Sequence, residues 1–582
     1  MESLDKAGNA ENFSLHIPSV ELFGGSSITL PQAGVTAIVG PNNCGKSTLI
    51  REINSHIRHG RVNAKLHSTS FIVESIEITW EGSVEDGREW ISKHAKRINR
   101  NGQEFFIRPG IPEVHVNTID MRYAADMALL GIQELHDLLV YYGDAWQRIG
   151  GANPAEMRDM FDAPPSSPLH VLQDNADLLA ELSEISLEVF GKNLTLDRLS
   201  KQVNLRVGET KFPAPRIDKI SNGYREALSS LPHMMDQGDG MKSLIGLLLP
   251  LLTSAYPIVF IDEPEAFLHP PQAMALGRIL GEQAKSKNIQ VILATHDRNL
   301  LSGLLQSEVD VSIVRLERPD EGETEAHQLN VRELKEIWDD PVLRYSNVLD
   351  GLFHKAVVLA EAERDCRFYS SALAEYSPKS ELPMLPGDIL FVPSGGKDGL
   401  PRLAKVLRSV KVPVVACPDL DILNDRGKIR VLVEAMGGDW GSLQDDYDKA
   451  TAEFRQPREV LYISNVLSAL NGVFSSRQSD PFTAAVRQEF MAQLRSKGNP
   501  WSSLKAYGEL AFRGDPKAAQ DTLGKLDDMG IVAVRVGELE RFTPHLGVSK
   551  GSGWLPAAIA SDGHKTEAAR RHVASLAKAA VR

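Results

Sequence analysis

The nine residues GPNNCGKST (residues 40–48) lie between an apolar stretch, VTAIV, and a helical pattern, TLIREI. They match the phosphate-binding pattern GxxxxGK[ST] in the strand–turn–helix context that this pattern requires. Glycines at two positions let the backbone wrap around a phosphate, so that N–H groups and the helix N-terminus face it. We expect Lys46 to neutralise the phosphates of ATP and Ser47 to coordinate Mg²⁺. The predicted ATP-binding residues of this loop are Gly40, Pro41, Asn42, Asn43, Cys44, Gly45, Lys46, Ser47 and Thr48.

A second motif, IVFIDEPEAFLHP (residues 258–270), follows much later in the chain. Four apolar residues lead to Asp262, which is therefore expected at the end of a buried strand, where it can hold the Mg²⁺ shell. The next residue, Glu263, is predicted to be the catalytic base that polarises the attacking water. With a phosphate-binding loop upstream, this pair predicts ATP hydrolysis.

Two further pieces lie on either side of that motif. QGDGMKSLIGLLLPLL begins at Gln237 and predicts a glycine turn at the start of a helix, whose bare N–H groups suit a γ-phosphate approached from outside. We expect Gly238, Asp239 and Gly240 to contact ATP in this way. The motif ATHD ends the next strand with His296, a candidate sensor of the γ-phosphate, although a structural strand-end histidine fits the sequence too.

The order of these motifs resembles the ABC-type ATPases. In that family the signature turn of one subunit closes over the ATP of its partner, which implies a homodimer or a higher homo-oligomer. Gly238 and Asp239 depart from the family's LSGGQ signature, and no Q-loop residue can be assigned. Without a membrane domain, the chain resembles the soluble RecF/SMC-like and defence-associated branch. We predict an α/β ATPase domain over residues 1–335, with a mostly helical insertion over about 82–204 that is a candidate for dimerisation or for ordinary core packing.

Bulk properties agree with a soluble, multidomain protein. The chain has 582 residues, a net charge of −13 and three cysteines without CxxC spacing, which favours a reducing, cytoplasmic setting without structural zinc. No apolar run is long enough to span a bilayer, and the first residues lack a signal-peptide pattern. We expect a connecting helix over residues 336–352, a boundary near Leu352, and a second α/β domain over residues 353–582 with a helix-rich interval at about 427–528.

The second domain carries its own acidic motifs. The predicted strand AVVLAE ends at Glu361, and Asp365 lies on the first turn of the helix that follows. The strand VPVVACPDLD presents Asp419 and Asp421, whose side chains point the same way if the chain stays extended. A divalent ion relieves the repulsion of such a cluster, and oxygen ligands select Mg²⁺ or Mn²⁺, with Ca²⁺ as an alternative.

This arrangement resembles the Toprim domain of topoisomerases, primases and some nucleases. The resemblance implies that Glu361, Asp365, Asp419 and Asp421 bind metal, although Ala362 replaces a common glycine. The predicted strand VAVRVGE adds Glu538 as a further metal ligand. Three lysines are candidate cations for stabilising a phosphate: Lys550, Lys565 and, in the turn SGGKDG, Lys397. Each of them could instead be a solvated side chain.

An ABC-type ATPase followed by Toprim in one chain resembles the OLD (overcoming lysogenization defect) family of ATP-dependent nucleases, which includes effectors of anti-phage systems. The resemblance implies Mg²⁺-dependent DNA cleavage gated by ATP, with Glu263, His296, Glu361, Asp419, Asp421 and Lys550 as catalytic residues. It also leaves room for an effector or helicase partner. Two alternatives stay open: an ATPase scaffold with an inactive Toprim domain that holds an effector, and a RecF-like repair ATPase that clamps DNA without cutting it.

Overall fold

The computed structural model divides into two compact units, Met1–Arg344 and Tyr345–Arg582. The structure describes residues 9–67, 71–159, 164–212, 219–318, 322–329, 347–376, 378, 381–409, 411–455, 462–475, 481–494, 500–548, 551 and 553–581. The predicted boundary near Leu352 lies in a 3₁₀ helix, Asn347–Phe353, of the second unit. The other residues of the predicted connecting helix, 336–346, lie outside the described residues. Within the described ranges, no helix has the length and apolar character needed to cross a membrane.

The first unit is built on a six-stranded sheet, and this bears out the predicted α/β class. Five strands are parallel and the last one is antiparallel to its neighbour. Their order across the sheet is Val140–Gly143, Ile258–Asp262, Gln290–Ala294, Gly34–Val39, Val311–Glu317 and Glu325–Leu329. Because the strands carrying the predicted ATP-site motifs are parallel neighbours, their carboxyl ends meet at one edge of the sheet.

Helices cover this sheet and bury its apolar side chains. The helix Lys46–His67 follows the phosphate-binding loop, and Ile50, Ile53 and Ile57 on one face of it are buried in the same core as Phe260. The other α-helices of this unit are Val84–His94, Thr118–Tyr123, Met127–Leu130, His136–Leu139, Ala145–Gly150, Pro168–Asp174, Ala176–Phe190, Asn222–Ser230, Asp239–Thr253, Pro270–Lys287 and Arg298–Gln306.

Small antiparallel sheets complete the first unit. The remaining strands are Ser14–His16 with Thr79–Glu81; Ser19–Leu22 with Ser27–Thr29 and Val73–Ile76; Lys96–Arg100 with Gln103–Ile107 and Val114–His115; and Ala155–Glu156 with Gln202–Val207 and Leu194–Asp197. Short 3₁₀ helices occur at Ala10–Asn12, Gln133–Leu135 and Met234–Asp236.

The interval of about 82–204, predicted to be a mostly helical insertion, contains both helices and short strands. Its longer helices are Val84–His94 and Ala176–Phe190, but MALLGIQELHDLLVYYG is not one helix. Gly131 has a φ of 72°, which ends the helix Met127–Leu130. The residues Val140–Gly143 then form an edge strand of the central sheet, where β-branched and aromatic side chains suit a pleated surface.

The second unit contains a three-stranded parallel sheet, with Ala356–Ala360 in the centre between Ile389–Pro393 and Val414–Cys417. Two of these strands, Ala356–Ala360 and Val414–Cys417, agree with the predicted strands AVVLAE and VPVVACPDLD. The predicted strand VAVRVGE and the preceding Ile531 form isolated parallel bridges, through Ile531 and Val534, instead of a continuous strand. Backbone hydrogen bonds such as Val532 N to Ala416 O, 2.8 Å, hold it beside Val414–Cys417.

Helices again flank the sheet. Those of the second unit are Glu363–Ala374, Gly399–Ser409, Arg426–Ala435, Trp440–Thr451, Ile463–Phe474, Ala484–Leu494, Ser502–Tyr507, Pro516–Asp528, Trp554–Ala560 and Glu567–Ala579, with further 3₁₀ helices at Pro386–Asp388, Leu420–Asn424, Ala452–Arg455, Gly508–Ala511, Leu539–Phe542, Pro544–Leu546 and Gly563–Lys565. The predicted helix-rich interval at 427–528 is therefore present. The core under the sheet is apolar and aromatic, with Phe368, Tyr369 and Trp554 fully buried.

Candidate active sites

The phosphate-binding loop follows the strand Gly34–Val39 directly and turns into the helix that begins at Lys46. Gly40 has a φ of 147° and Gly45 has a φ of 102°. Residues other than glycine rarely adopt this backbone region. A Cβ atom on Gly40 would lie 2.5 Å from the carbonyl oxygen of Leu316, so the neighbouring strand also requires glycine there. Both glycines of the motif are therefore fixed by geometry.

Two polar side chains of this loop are placed for phosphate and metal chemistry. The Lys46 Nζ donates hydrogen bonds to the carbonyl oxygens of Gly40 and Pro41, at 2.9 and 3.0 Å. The Ser47 hydroxyl donates to Oδ1 of Asp262, at 2.9 Å. The structure thus brings the loop and the strand Ile258–Asp262 together, as the two motifs predicted.

The residues that follow Asp262 form a tight turn. Glu263 has a positive φ of 48°, and its backbone N–H donates to the carbonyl oxygen of Ala294 on the next strand, at 3.0 Å. The Glu263 carboxylate is 44% exposed and lies 3.7 Å from Nδ1 of His296. The predicted base and the predicted sensor are therefore neighbours at the carboxyl edge of the sheet, both open to solvent.

Glu265 is a residue of this turn that the sequence reasoning did not single out. Its Oε1 accepts hydrogen bonds from the Thr295 hydroxyl, at 2.7 Å, and from the backbone N–H of His296, at 3.0 Å. Its side chain is only 4% exposed, and burial raises the pKa of the Glu265 carboxyl. The second glutamate of the sequence DEPE could have indicated this role. A carboxylate buried beside a strand end usually accepts hydrogen bonds from the neighbouring backbone.

Arg148 is the second residue that sequence reasoning missed. It is buried, and its guanidinium donates to the carbonyl oxygens of both Asp262 and Glu263, each at 2.7 Å. It also reaches Gly143 O at 3.1 Å and the Ser243 hydroxyl at 3.3 Å. The sequence does not indicate this role for Arg148, because its hydrogen-bond partners come from three separate segments of the chain.

The signature turn is exposed. Gly238 caps the helix Asp239–Thr253, and no atom lies within 4 Å of the position that a Cβ on Gly238 would take. The Asp239 carboxylate pairs with Lys242 on the next turn of the helix, at 2.7 Å. A Cβ on Gly240 would lie 2.5 Å from the carbonyl oxygen of Phe267, so this glycine allows the turn to approach the loop after Glu265.

The second candidate site lies at the carboxyl edge of the parallel sheet in the other unit. Glu361 follows the strand Ala356–Ala360, and Asp419 follows Val414–Cys417. One carboxylate oxygen from each of Glu361, Asp419 and Asp421 lies within 4.8 Å of the other two. Three oxygen donors at this separation fit a divalent cation of the Mg²⁺ or Mn²⁺ kind.

The geometry of the acidic pair differs from the expected extended chain. A 3₁₀ helix, Leu420–Asn424, begins directly after Asp419, so Asp421 reaches the site from a helical turn. The backbone N–H of Asp419 donates to Oε1 of Glu361, at 3.0 Å, which fixes the two motifs against each other. Burial raises the pKa of Glu361, and the hydrogen bond from Asp419 opposes this effect.

The structure does not place Asp365 in the group of three carboxylates. Its Oδ2 accepts a 2.8 Å hydrogen bond from the backbone N–H of Ala362, so it caps the helix Glu363–Ala374. Burial raises the pKa of Asp365 to about 6. Glu538 also lies outside the group and precedes the 3₁₀ helix Leu539–Phe542. The roles of both residues as metal ligands stay predictions.

The predicted lysines have different outcomes. Lys550 lies outside the described residues. Lys565 is half exposed and pairs with Asp562, at 3.0 Å. Lys397 donates to Oδ1 of Asp421, and Lys505, which sequence reasoning missed, lies 2.9 Å from Oδ2. Lys505 is distant in sequence, within the helix-rich interval, and gave no motif to identify it.

Comparison with known proteins shows similarity to an ATPase-type family model and to an OLD nuclease. Residues 194–302 match a family model described as "AAA domain, putative AbiEii toxin, Type IV TA system". The OLD nuclease of Thermus scotoductus is 25% identical over 429 residues, which make up 68% of this chain and 79% of the relative. The resemblance to the OLD family is confirmed. The region aligned with the OLD relative is longer than either of the two compact units. The family match shows that the chain carries an ATPase-type domain.

Two solved structures align with slightly more than half of the chain. An SMC head bound to the C-terminal winged-helix domain of ScpA is 13% identical, with 55% of this chain and 99% of that chain covered and a TM-score of 0.34. The protein cbiO1 of Clostridium perfringens, part of an ABC transporter complex, is 15% identical, with 56% and 93% covered and a TM-score of 0.28.

Proposed function

We propose that the protein is an ATP-hydrolysing, Mg²⁺-dependent DNA endonuclease of the OLD type. The observation that carries the nuclease part is the group Glu361, Asp419 and Asp421, whose ligand oxygens lie within 4.8 Å of one another at the carboxyl edge of a parallel sheet. DNA as the substrate follows from the similarity to an OLD nuclease. The same similarity supports a role in anti-phage defence or DNA processing.

ATP hydrolysis is proposed at the first unit. Lys46 and the backbone of the loop bind the phosphates, while Ser47 and Asp262 would hold Mg²⁺, which when bound supplies charge neutralisation. Glu263 accepts a proton from the attacking water, and His296 beside it contacts the γ-phosphate. The exposed turn at Gly238 is open to the nucleotide of a second copy, which supports a homodimer or a higher homo-oligomer.

DNA cleavage is proposed at the second unit. Glu361, Asp419 and Asp421 would hold a divalent cation, which when bound supplies an activated water and stabilises the leaving oxygen. The hydrogen bond from the backbone N–H of Asp419 to Oε1 of Glu361 fixes the positions of these two ligand residues relative to each other. Asp365 fixes the start of the helix after Glu361 through the backbone N–H of Ala362. We further propose that the nucleotide state of the first unit controls cleavage.

One observation favours a second function, that of an ATPase scaffold with an inactive Toprim fold. Both oxygens of Asp421 are engaged by lysines, Lys397 and Lys505, and such ion pairs can replace a metal permanently. In that case the protein would hold or activate a separate effector.

A plasmid-cleavage assay with Mg²⁺ or Mn²⁺ separates the two functions. The endonuclease account predicts that the wild-type protein nicks or cuts the plasmid and that Asp419→Ala does not. Absence of cutting under every metal and nucleotide condition, with ATP hydrolysis intact, would support the scaffold.

A further inference from the structure

Asp421 is held from both sides by ammonium groups. Lys397 donates to its Oδ1, and the Lys505 Nζ lies 2.9 Å from its Oδ2. The Asp421 side chain is only 6% exposed. The aspartate that completes the three-carboxylate group therefore makes two ion pairs that enclose it.

The two lysines come from different parts of the unit. Lys397 lies in the turn after the strand Ile389–Pro393 and is 20% exposed. Lys505 lies in a short helix, Ser502–Tyr507, that belongs to the helix-rich interval, and it is 43% exposed. Of the two, Lys505 has the easier route to solvent, because its side chain is the more exposed.

Lys397 and Lys505 place positive charge beside the three carboxylates. Burial tends to raise the pKa of Asp421, but hydrogen bonds from Lys397 and Lys505 outweigh burial and leave the pKa below its ordinary value. The hydrogen bond to Asp421 raises the pKa of Lys505. The two ammonium groups, which contact Asp421, partly neutralise the repulsion among the three carboxylates.

A divalent cation at the same carboxylates cannot sit beside two ammonium groups without strong repulsion. We propose that Lys505 is a built-in counter-ion that competes with a divalent cation for Asp421 and leaves Asp421 when the cation binds. This inference rests on the proposed metal site. It assigns the helix Ser502–Tyr507 a function, since metal loading releases the contact that ties this helix to the site.

The direction of the effect makes the inference testable. Removal of a competing positive charge strengthens cation binding, whereas loss of a merely structural residue weakens it or leaves it unchanged. We expect Lys505→Met to bind Mn²⁺ about five- to tenfold more tightly than the wild type, as measured by isothermal titration calorimetry without nucleotide or DNA. Lys505→Arg, which keeps the charge, should resemble the wild type.

A matched control is available in the same unit. Lys525 also pairs with an aspartate, Asp446, at 2.7 Å, outside the three-carboxylate group. Lys525→Met therefore removes one charge and one ion pair without touching Asp421, and we expect it to leave Mn²⁺ affinity unchanged. In the wild-type protein, Mn²⁺ should also accelerate hydrogen exchange in residues 502–507, a readout that needs no variant.

The outcomes separate this inference from the proposed function. If Asp421→Asn and Asp419→Asn leave Mn²⁺ binding at the wild-type level, the metal site itself is contradicted and both proposals fall. If those variants abolish binding but Lys505→Met binds Mn²⁺ no more tightly than the wild type, the counter-ion role alone is overturned. Unchanged exchange in residues 502–507 on Mn²⁺ addition would overturn the release of Lys505.

Discussion

The Ser47 hydroxyl donates a 2.9 Å hydrogen bond to Oδ1 of Asp262, so the phosphate-binding loop and the strand Ile258–Asp262 meet at one point. Hydroxyl and carboxylate oxygens in contact are suited to share the shell of one Mg²⁺ ion. Burial raises the pKa of Asp262, and the bond from Ser47 opposes that effect. The contact therefore defines where the nucleotide's metal is expected.

Replacement of Ser47 by alanine removes one side of this contact. We expect the affinity for a fluorescent ATP analogue to fall by roughly tenfold in Mg²⁺, about 1.4 kcal/mol, and to change little in EDTA. Ser286→Ala, at an exposed position of the same unit, serves as the control. An equal loss with and without Mg²⁺ would contradict a metal-binding role.

Glu263→Gln keeps the shape of the side chain but removes the base. Because Glu263 is exposed and adjacent to His296, we expect kcat for ATP hydrolysis to fall by about 10²- to 10³-fold while ATP binding is retained. Steady-state hydrolysis together with equilibrium binding checks this. Hydrolysis by Glu263→Gln at the wild-type rate would remove Glu263 from the mechanism.

Arg148 holds the backbone of the catalytic turn through the carbonyl oxygens of Asp262 and Glu263. We predict that Arg148→Lys lowers kcat for ATP hydrolysis by roughly tenfold with little change in KM, because Glu263 loses its fixed orientation. Arg108 offers a matched control, since it is equally buried and donates to the carbonyl oxygens of Leu138 and Ala255 instead. A similar drop in kcat for Arg108→Lys would show that the effect comes from replacing any buried arginine and not from the contacts of Arg148 with the catalytic turn.

His572 gives the second unit a predicted pH dependence. Burial lowers its pKa to about 3, and its Nε2 lies 3.3 Å from the Cys417 sulfur. An unfolded histidine titrates near pH ~6.5, so between about 6.5 and about 3 the unfolded chain binds a proton that the folded chain does not. Stability from this group is complete above pH ~6.5 and falls with decreasing pH, by at most roughly 1.4 kcal/mol per pH unit.

The variant His572→Phe tests that dependence. The ring packs near Tyr369 and Phe542, with centroids at 4.9 and 5.6 Å, so an aromatic replacement fits the surroundings. We expect the unfolding temperature of the variant to fall less than that of the wild type between pH 7 and pH 5. Parallel pH profiles for the two proteins would show that His572 does not contribute.

The strands that lead to Asp262, Glu361 and Asp419 could be predicted because each depends on local pattern. An apolar run that ends on a carboxylate specifies a buried strand and the edge at which its last side chain emerges, as at Asp262 and Glu361. Parallel pairing then brings neighbouring edges together. This is why Ser47 meets Asp262 and Glu361 meets Asp419.

Contacts that no sequence motif marks were not predictable. Arg148 and Lys505 reach the two sites from helices whose own patterns describe only local packing. The sequence favours a helix at Val140–Gly143 because its apolar run continues a helical pattern. Gly131 ends that helix, and these residues pair with Ile258–Asp262 as a strand. Asp365 matched a family motif, yet its carboxylate caps a helix.

The most direct test of the two-site account measures plasmid cleavage and ATP hydrolysis in the same samples of the wild type and of Asp419→Ala, with Mg²⁺ or Mn²⁺. The account predicts that the wild type cuts the plasmid and hydrolyses ATP. Asp419→Ala should lose cutting by at least about 10²-fold while it hydrolyses ATP at the wild-type rate. Cutting by Asp419→Ala at the wild-type rate, or a wild type that hydrolyses ATP but cuts with neither metal, would contradict it.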